Sequence, residues 1–441
     1  MTYLTEGNIT KQIIRLSFPL LIGNIIQQFY NTINMMIVGR YVGDAAFSAV
    51  GVSGSVMNLF IAIIIGLCVG FSILYANAYG AQDYEKLRKT IYTTAVIGIS
   101  ITLILSIAGF IFLKDILNAI QTPDNLIHEC EIYLRVIFAG MIFCLMYNLL
   151  ASILQALGRT NVMLYIIVTA MFFNLFFNYF LVAVLRLEVM GAALATVLSQ
   201  VISAFLCLFY ILKYLPKLKI GKADMSRDRK LSVTAFQFGI TSALQQSSLF
   251  FGKLMVQRAI NALGSDAVMA YTADICIEQL LLAFGDSGAA AIAVFVAQNY
   301  GHNEMGRVKD GLKKGIKLMV ITGVMLSVML YFTKPWFISL LISVEKLQVT
   351  AIALSYLSIM CIFYPLSFAT NSFQGFFRGI GMIQLAFGAT LTQIIIRIIL
   401  TYRFTDLLQL RAVAIATGIG WIAMISIQIV YFNKARRRLQ V

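Results

Sequence analysis

Asp274, Glu278 and Asp286 stand within one uninterrupted apolar stretch, residues 268–298, while the other sixteen of the 19 acidic residues occupy polar segments or the ends of apolar ones. A carboxylate in hydrocarbon surroundings is expensive, so each of the three is a candidate for carrying a proton or binding a cation. On a helix they fall within an arc of about 120° and so share one face. Gly285, Ala289 and Ala293 lie in or near that arc, which leaves the face lean enough to border a cavity or a close neighbour. Asp274 and Glu278 are one turn apart and can interact. Glu278 and Asp286 are about 12 Å apart along the axis and do not share a proton directly. Two basic residues in other apolar stretches, Lys253 and Arg397, sit at a depth similar to Asp274; Arg135 is a third basic residue in such a stretch. Asp274, Glu278, Lys253 and Arg397 can therefore form one network. For Asp274 that network reads equally as a structural ion pair. Glu278, nearer the middle, reads as a titrating group or a site for Na⁺. Asp286 has no obvious basic partner at its depth, which makes it a candidate proton carrier, unless it reaches toward the nearer end of its helix.

A second constellation is made of amides. Gln27, Asn31 and Asn34 recur on one face of an apolar stretch, Asn174 and Asn178 are one turn apart in another, and Gln245 and Gln246 repeat the Gln27-Gln28 pair. Taken together they suit the lining of a central cavity; taken singly, each can equally bond a neighbouring helix. Met35, Met36, Phe172, Phe173, Phe176, Phe177 and Phe251 would add a soft, aromatic wall for flat apolar ligands, or simple contact with lipid.

The elements that must position these residues are membrane spans. The chain is 60% hydrophobic and 12% charged, with a mean hydropathy of +0.86. A soluble globular chain carries about 25% charged residues. Apolar runs long enough to cross a bilayer predict twelve transmembrane helices, at 15–38, 54–78, 90–112, 132–155, 161–183, 190–213, 236–258, 268–298, 315–333, 350–375, 382–402 and 412–432. In lipid, runs of this length are helices, because only a helix satisfies its own backbone. The fold class is an all-α polytopic membrane protein. Pro19 and Pro365 interrupt spans 1 and 10 and are hinge candidates.

The spans are one unit written twice. Tyr79-Gly80 and Tyr300-Gly301 superpose at an offset of 221, Gln27, Gln28 and Arg40 match Gln245, Gln246 and Arg258 at 218, and Tyr133, Gly158 and Tyr179 match Tyr356, Gly381 and Tyr402 at 223. Six spans per copy return the chain to its starting side, so the repeat is parallel, one of the two common plans of secondary transporters. The expected division is a first lobe at 1–213, a linker at 214–234 and a second lobe at 235–441. Of 34 basic residues, 23 fall on the side of the two termini and the linker and eight on the other. The positive-inside rule then puts both termini in the cytoplasm. The net charge of +15 is accounted for by that basic face beside anionic lipid, with no nucleic-acid partner. There is no cleavable signal pattern at the start. The six cysteines show no CxxC or Cys/His spacing, which predicts neither disulfides nor a metal site. No phosphate loop, HExxH or GxSxG is present, so no enzyme is expected, and movement would be driven by an ion gradient or run downhill.

With these residues in place, the chain resembles the multidrug and toxic compound extrusion (MATE) transporters over essentially its whole length. The resemblance rests on LSFPLLIGNIIQQFYNTINMMIVGRYVG (16–43), AYGAQDYEKLRK (78–89), LQALGRTNVM (154–163), FVAQNYG (295–301) and GFFRGIGM (375–382). It implies two six-helix lobes in a V, a central cavity open alternately to each side, and export of cationic or amphipathic compounds in exchange for H⁺ or Na⁺. The implied partners are a small-molecule substrate and membrane lipid, with no cofactor beyond the coupling ion, in a monomer of a plasma membrane, here a bacterial cytoplasmic one. The sequence departs from the family at its coupling acids. Many bacterial members have an Asp where Asn34 stands, and often a second acid where Asn178 stands; a branch with acids in spans 7 and 10 is not matched either. Glu278, in AYTADICIEQL, is the nearest match to a family acid, whereas Asp274 and Asp286 resemble additions. Alternatives are an exporter or flippase of a lipid-linked or peptide-like metabolite, which Lys253 and Arg397 would suit, and a structural or regulatory membrane protein without transport.

Overall fold

A computed structural model describes residues 3–225, 228–342 and 346–438, without the side chains of residues 30–32, 35, 44, 45 and 435–438. Arg227, Glu345 and the tail residues Arg436, Arg437 and Arg438 therefore lie outside the described side chains. The described residues form twelve long helices. In the first repeat these are α1 (Ile9–Tyr41), α2 (Asp44–Gly80), α3 (Tyr84–Ile111), α4 (Asp124–Ala156), α5 (Thr160–Asn178) and α6 (Glu188–Tyr214). In the second they are α7 (Arg229–Asn261), α8 (Ser265–Gly301), α9 (Met305–Leu341), α10 (Leu347–Gly379), α11 (Ile383–Leu408) and α12 (Leu410–Arg438). A short helix, Leu113–Ala119, precedes α4, and α5 continues into a π-helical stretch, Tyr179–Val184. Every expected span falls on one of the twelve helices to within a residue, except that the end of 161–183 is the π stretch. Eleven of the helices are long and apolar enough to cross a membrane. α7, with Gln245, Gln246, Lys253 and Arg258, is the less apolar one. The chain is an all-α, multi-pass membrane protein.

The repeat extends to backbone detail. Gly43 (φ +115°) and Gly264 (φ +97°) precede α2 and α8, and Gly158 (φ +72°) and Gly381 (φ +82°) precede α5 and α11. These are left-handed corners that favour glycine. Gln82 and Asn303 share the same unusual conformation, at φ +58° and +62°. Helix pairing repeats too. α2 packs on α3 and α4, α4 on α3 and α6, and α5 on α6; α8 packs on α9 and α10, α10 on α9 and α12, and α11 on α12.

Packing divides the chain differently from a cut at the linker. One compact unit is Pro19–Gln246; the other is Met1–Phe18 together with Ser247–Val441. They are called the first and second unit below. The two repeats have thus exchanged the leading parts of their first helices, and Pro19 stands at one exchange point.

Two local causes are visible. On α2, Gly66 and Gly70 are one turn apart. A Cβ on Gly66 would lie 2.5 Å from the Ala243 Cα, and one on Gly70 would lie 2.2 Å from the Phe238 carbonyl oxygen. Only bare backbone lets the first half of α7 pack so closely. At the other end, Leu4, Ile9, Ile13 and Leu16 join the apolar core of the second unit. Arg307 fixes them there. Its guanidinium donates to the Leu4 and Gly7 carbonyls, to Gln12 Oε1 and to Asn299 Oδ1, at 2.9 to 3.1 Å. The first unit has a counterpart, in which Arg88 donates to Asp224 at 2.9 Å and to the Lys217 carbonyl at 3.3 Å.

Candidate coupling site

The three acids of α8 all belong to the second unit, and their surroundings differ. Asp274 is fully buried, and neither of its carboxyl oxygens has a hydrogen-bond partner among the described residues. Glu278 is 8% exposed, and its Oε2 accepts from the Tyr356 hydroxyl at 3.4 Å. The Tyr356 ring meets the edge of Tyr271 with centroids 5.8 Å apart. The Tyr271 hydroxyl in turn accepts from an Arg397 terminal nitrogen at 3.4 Å. The buried Tyr364 hydroxyl lacks a hydrogen-bond partner among the described residues, as does Arg397 Nε. The result is a cluster of two carboxyls, three tyrosines and one guanidinium, with several polar atoms unused.

Close packing of α8 on α10 holds this cluster together. A Cβ on Gly375 would lie 2.4 Å from the Ala289 carbonyl oxygen, and one on Gly285 would lie 2.5 Å from Asn371 Nδ2. The lean stripe expected beside the acids is thus the seam against α10.

The ion pair that was one of two readings for Asp274 is not formed among the described residues. No cation lies within 4 Å of Asp274 or Glu278 among the described residues. Arg397 and Lys253 are within electrostatic reach of Glu278, whereas the charged neighbour of Asp274 is Glu278 itself. A second expectation changes as well. Asp286 is exposed, and it has basic neighbours after all, Lys253 and Arg378. Spacing along one helix hid Arg378, which stands on α10. Tyr271 and Tyr364 had no signal in the sequence; Tyr356 was visible only as a repeat marker.

In the first unit the expected amides Asn34, Asn174 and Asn178 come together and bond one another. Asn34 Nδ2 donates to Asn174 Oδ1 at 2.7 Å, and Asn178 Nδ2 donates to Asn34 Oδ1 at 2.9 Å. Asn174 also donates to the Ala195 carbonyl and to Ser199 Oγ, at 3.3 and 3.1 Å. Directly after Asn178 the helix widens into its π stretch, a feature often found at functional sites. Gln245 is buried, Gln246 half-buried and Gln27 exposed, all in the first unit. Phe251 is exposed and belongs to the second. Asn31 and Met35 lie outside the described side chains. Pro365 sits inside the continuous helix α10, as Pro19 does in α1.

The MatE family profile matches residues 19–180 and 239–403, most of the chain and both repeats. The chain belongs to the MatE family. Its relatives include the probable multidrug resistance proteins YoeA and YpnP of Bacillus subtilis. YoeA is 28% identical over 335 residues, covering 74% of this chain and 72% of the relative. YpnP is 24% identical, covering 98% and 96%. Among solved structures, an outward-facing multidrug resistance MATE transporter of the MOP superfamily aligns with a TM-score of 0.90 at 23% identity, over 99% of this chain and 97% of that one. A MOP superfamily transporter of Pyrococcus furiosus, described as having a binding pocket of reverse polarity, aligns with a TM-score of 0.89 at 24% identity, over 99% and 97%. These structures bear on the fold. As a MATE protein, the chain carries two buried carboxyls, Asp274 and Glu278, on α8 and neutral amides between α1 and α5.

Proposed function

We propose that this MATE protein is a secondary exporter of cationic or amphipathic organic compounds, driven by inward movement of H⁺ or Na⁺ and coupled through the α8 carboxyls, with Glu278 first. One observation carries the reading: Asp274 and Glu278 lie buried together with no ion pair, beside hydroxyls and a guanidinium that are only partly used. Groups in that state change charge or bind a cation readily, whereas the Asn34, Asn174 and Asn178 amides cannot take up or release a proton. Neutralising Glu278 alters how it interacts with Arg397, Lys253 and Tyr356, and so biases one conformation over another. The names of the relatives support the substrate class, and the excess of basic residues on the terminal side supports a plasma-membrane protein with cytoplasmic ends.

Efflux of a cationic dye from proteoliposomes, with ΔpH or ΔNa⁺ imposed separately, tests it. Glu278→Gln abolishes gradient-driven efflux while the protein still inserts and purifies as a folded species. Normal efflux in that variant refutes the coupling role. A second reading, export or flipping of a lipid-linked anionic metabolite, is favoured by the exposed Lys253; a lipid-scrambling assay on the same vesicles separates the two.

A further inference from the structure

The face of α8 turned away from its acids borders a groove outside the coupling site. Two residues turn a helix by about 200°, so Thr272 and Cys276 face away from Asp274 and Glu278. Beside them a groove of about 720 Å³ runs between α8, the end of α7 and the last turn of α9. Ligand sites commonly measure about 300–1,000 Å³. The whole lining belongs to the second unit.

The groove is polar at one end and apolar along the rest. Asn261 and Ser265 stand at the α7–α8 turn, and Val268, Met269, Ala273 and Leu341 form the walls. Thr272 adds to the apolar wall, because its hydroxyl donates back to the Val268 carbonyl at 2.7 Å. At the polar end, Gln257 donates to Asn261 Oδ1 at 2.8 Å, which leaves the Asn261 amide nitrogen as a donor. No side chain caps the first turn of α8, so its backbone amides are open there too. Lys346 stands at the rim, its ammonium 3.5 Å from the Met269 sulfur. A thioether is a weak acceptor, and no carboxylate lies within 4 Å of that ammonium among the described residues. None of the lining residues is acidic; Asp266, in the first turn of α8, is exposed and lies outside the lining.

Depth and charge together identify the occupant. From Ser265 to Cys276 the wall rises about 16 Å, close to half of the roughly 30 Å hydrocarbon core of a bilayer. The groove is therefore as deep as one leaflet, and it starts at the surface beside hydrogen-bond donors and an ammonium without a counter-charge. A zwitterionic lipid would bring a second cation to that rim. We infer that the groove seats an anionic phospholipid, its phosphate at Lys346, Asn261 and Ser265 and one acyl chain along Val268, Thr272 and Cys276. α8 then carries two separate sites, acids on one face and a lipid seat on the other.

Cys276 supplies the reporter, since it lines the groove and is exposed while the other five cysteines are buried. The full-length protein is placed in vesicles of phosphatidylcholine alone, or of phosphatidylcholine with phosphatidylglycerol. The rate of labelling by a membrane-permeant bimane reagent is then read, with Cys276→Ser as background. Phosphatidylglycerol is expected to slow labelling about fivefold, the weight of one lysine beside anionic lipid. Lys346→Arg keeps the slowing and Lys346→Gln removes it; the side chain is exposed, so both variants fold. Val268→Trp, which fills the groove, slows labelling equally in both kinds of vesicle. Equal rates for the unmodified protein in the two vesicles overturn the inference. So does a slowing that persists in Lys346→Gln or in Val268→Trp, because that is the general effect of a negative membrane surface on a thiol.

Discussion

The two repeats make the same contact with different chemistry. Tyr133 of α4 and Tyr356 of α10 are matched by the offset of 223, and their partners on α2 and α8, Met57 and Glu278, by the offset of 221. In the first unit the Tyr133 hydroxyl points at the Met57 sulfur, 3.8 Å away; in the second the Tyr356 hydroxyl points at the Glu278 carboxyl, 3.4 Å away. Ser53 stands where Asp274 does, and Asn174 where Arg397 does. Duplication has kept the helix pairs, the corner glycines and the tyrosine, while charge has gathered in one copy. The first unit keeps amides that bond one another and do not titrate. A scaffold can thus be symmetric while only one half of it buries carboxyls in its long helices.

The sharpest way to break this comparison is to erase it. Glu278→Met gives the second unit the contact of the first. Gradient-driven dye efflux is expected to fall to the level of empty vesicles. Folding should survive, because a thioether already fits beneath the matched tyrosine. Glu278 is in no ion pair among the described residues and accepts one long hydrogen bond, from Tyr356 at 3.4 Å, so replacing it should leave the melting temperature nearly unchanged. Retained coupled efflux would mean that the contrast between the units has no functional weight.

The reverse exchange has a smaller effect. Asn34→Asp introduces an acid into the amide cluster of the first unit. The bond from Asn34 Nδ2 to Asn174 Oδ1 is lost, and an ionised carboxylate would face that oxygen. A buried group left unsatisfied costs about 1–3 kcal/mol. The variant is therefore expected to unfold earlier at neutral pH and to recover part of the loss on acidification, as thermal unfolding at several pH values would show. A pH-independent loss would mean that the new acid is hydrated or has found another donor.

The legibility of these features varied with their physical origin. The twelve helices were readable because apolar runs of bilayer length have a single backbone solution, and the repeat divided them into two sets of six. The exchange of leading half-helices was not readable, since it depends on close approach at Gly66 and Gly70, and a glycine pair does not name its partner. Asp274, Glu278 and Asp286 stood out because acids are rare in such segments. Their tyrosine neighbours did not, because a tyrosine in a membrane helix is ordinary until a carboxyl is seen beside it. The Asn34 cluster was visible as three polar residues, but whether they bond a ligand or one another is decided by distances between helices.

The smallest expected effect concerns the two arginine clasps, where the asymmetry runs the other way. Arg307 in the second unit binds two carbonyls and two amide oxygens, none of which titrates. Arg88 in the first unit binds the Asp224 carboxylate, which also accepts from the Gly221 amide at 2.8 Å. That amide first, and the Arg88 guanidinium second, hold the Asp224 carboxyl below its usual range. A carboxyl depressed in the folded state contributes its stability above the unfolded value of about 3.9. That contribution is lost as pH falls through the lower folded value. Acidification should therefore loosen the linker clasp and leave the N-terminal one intact. Hydrogen exchange, corrected for its intrinsic pH dependence, should show falling protection at Gly221 below about pH 4. The Leu4 amide, which donates to Gln298 at 3.2 Å, should keep its protection. Asp224→Asn should show the loosened linker at neutral pH. Equal loss at both clasps would mean that acid acts on the fold as a whole, and the difference between them would carry no weight.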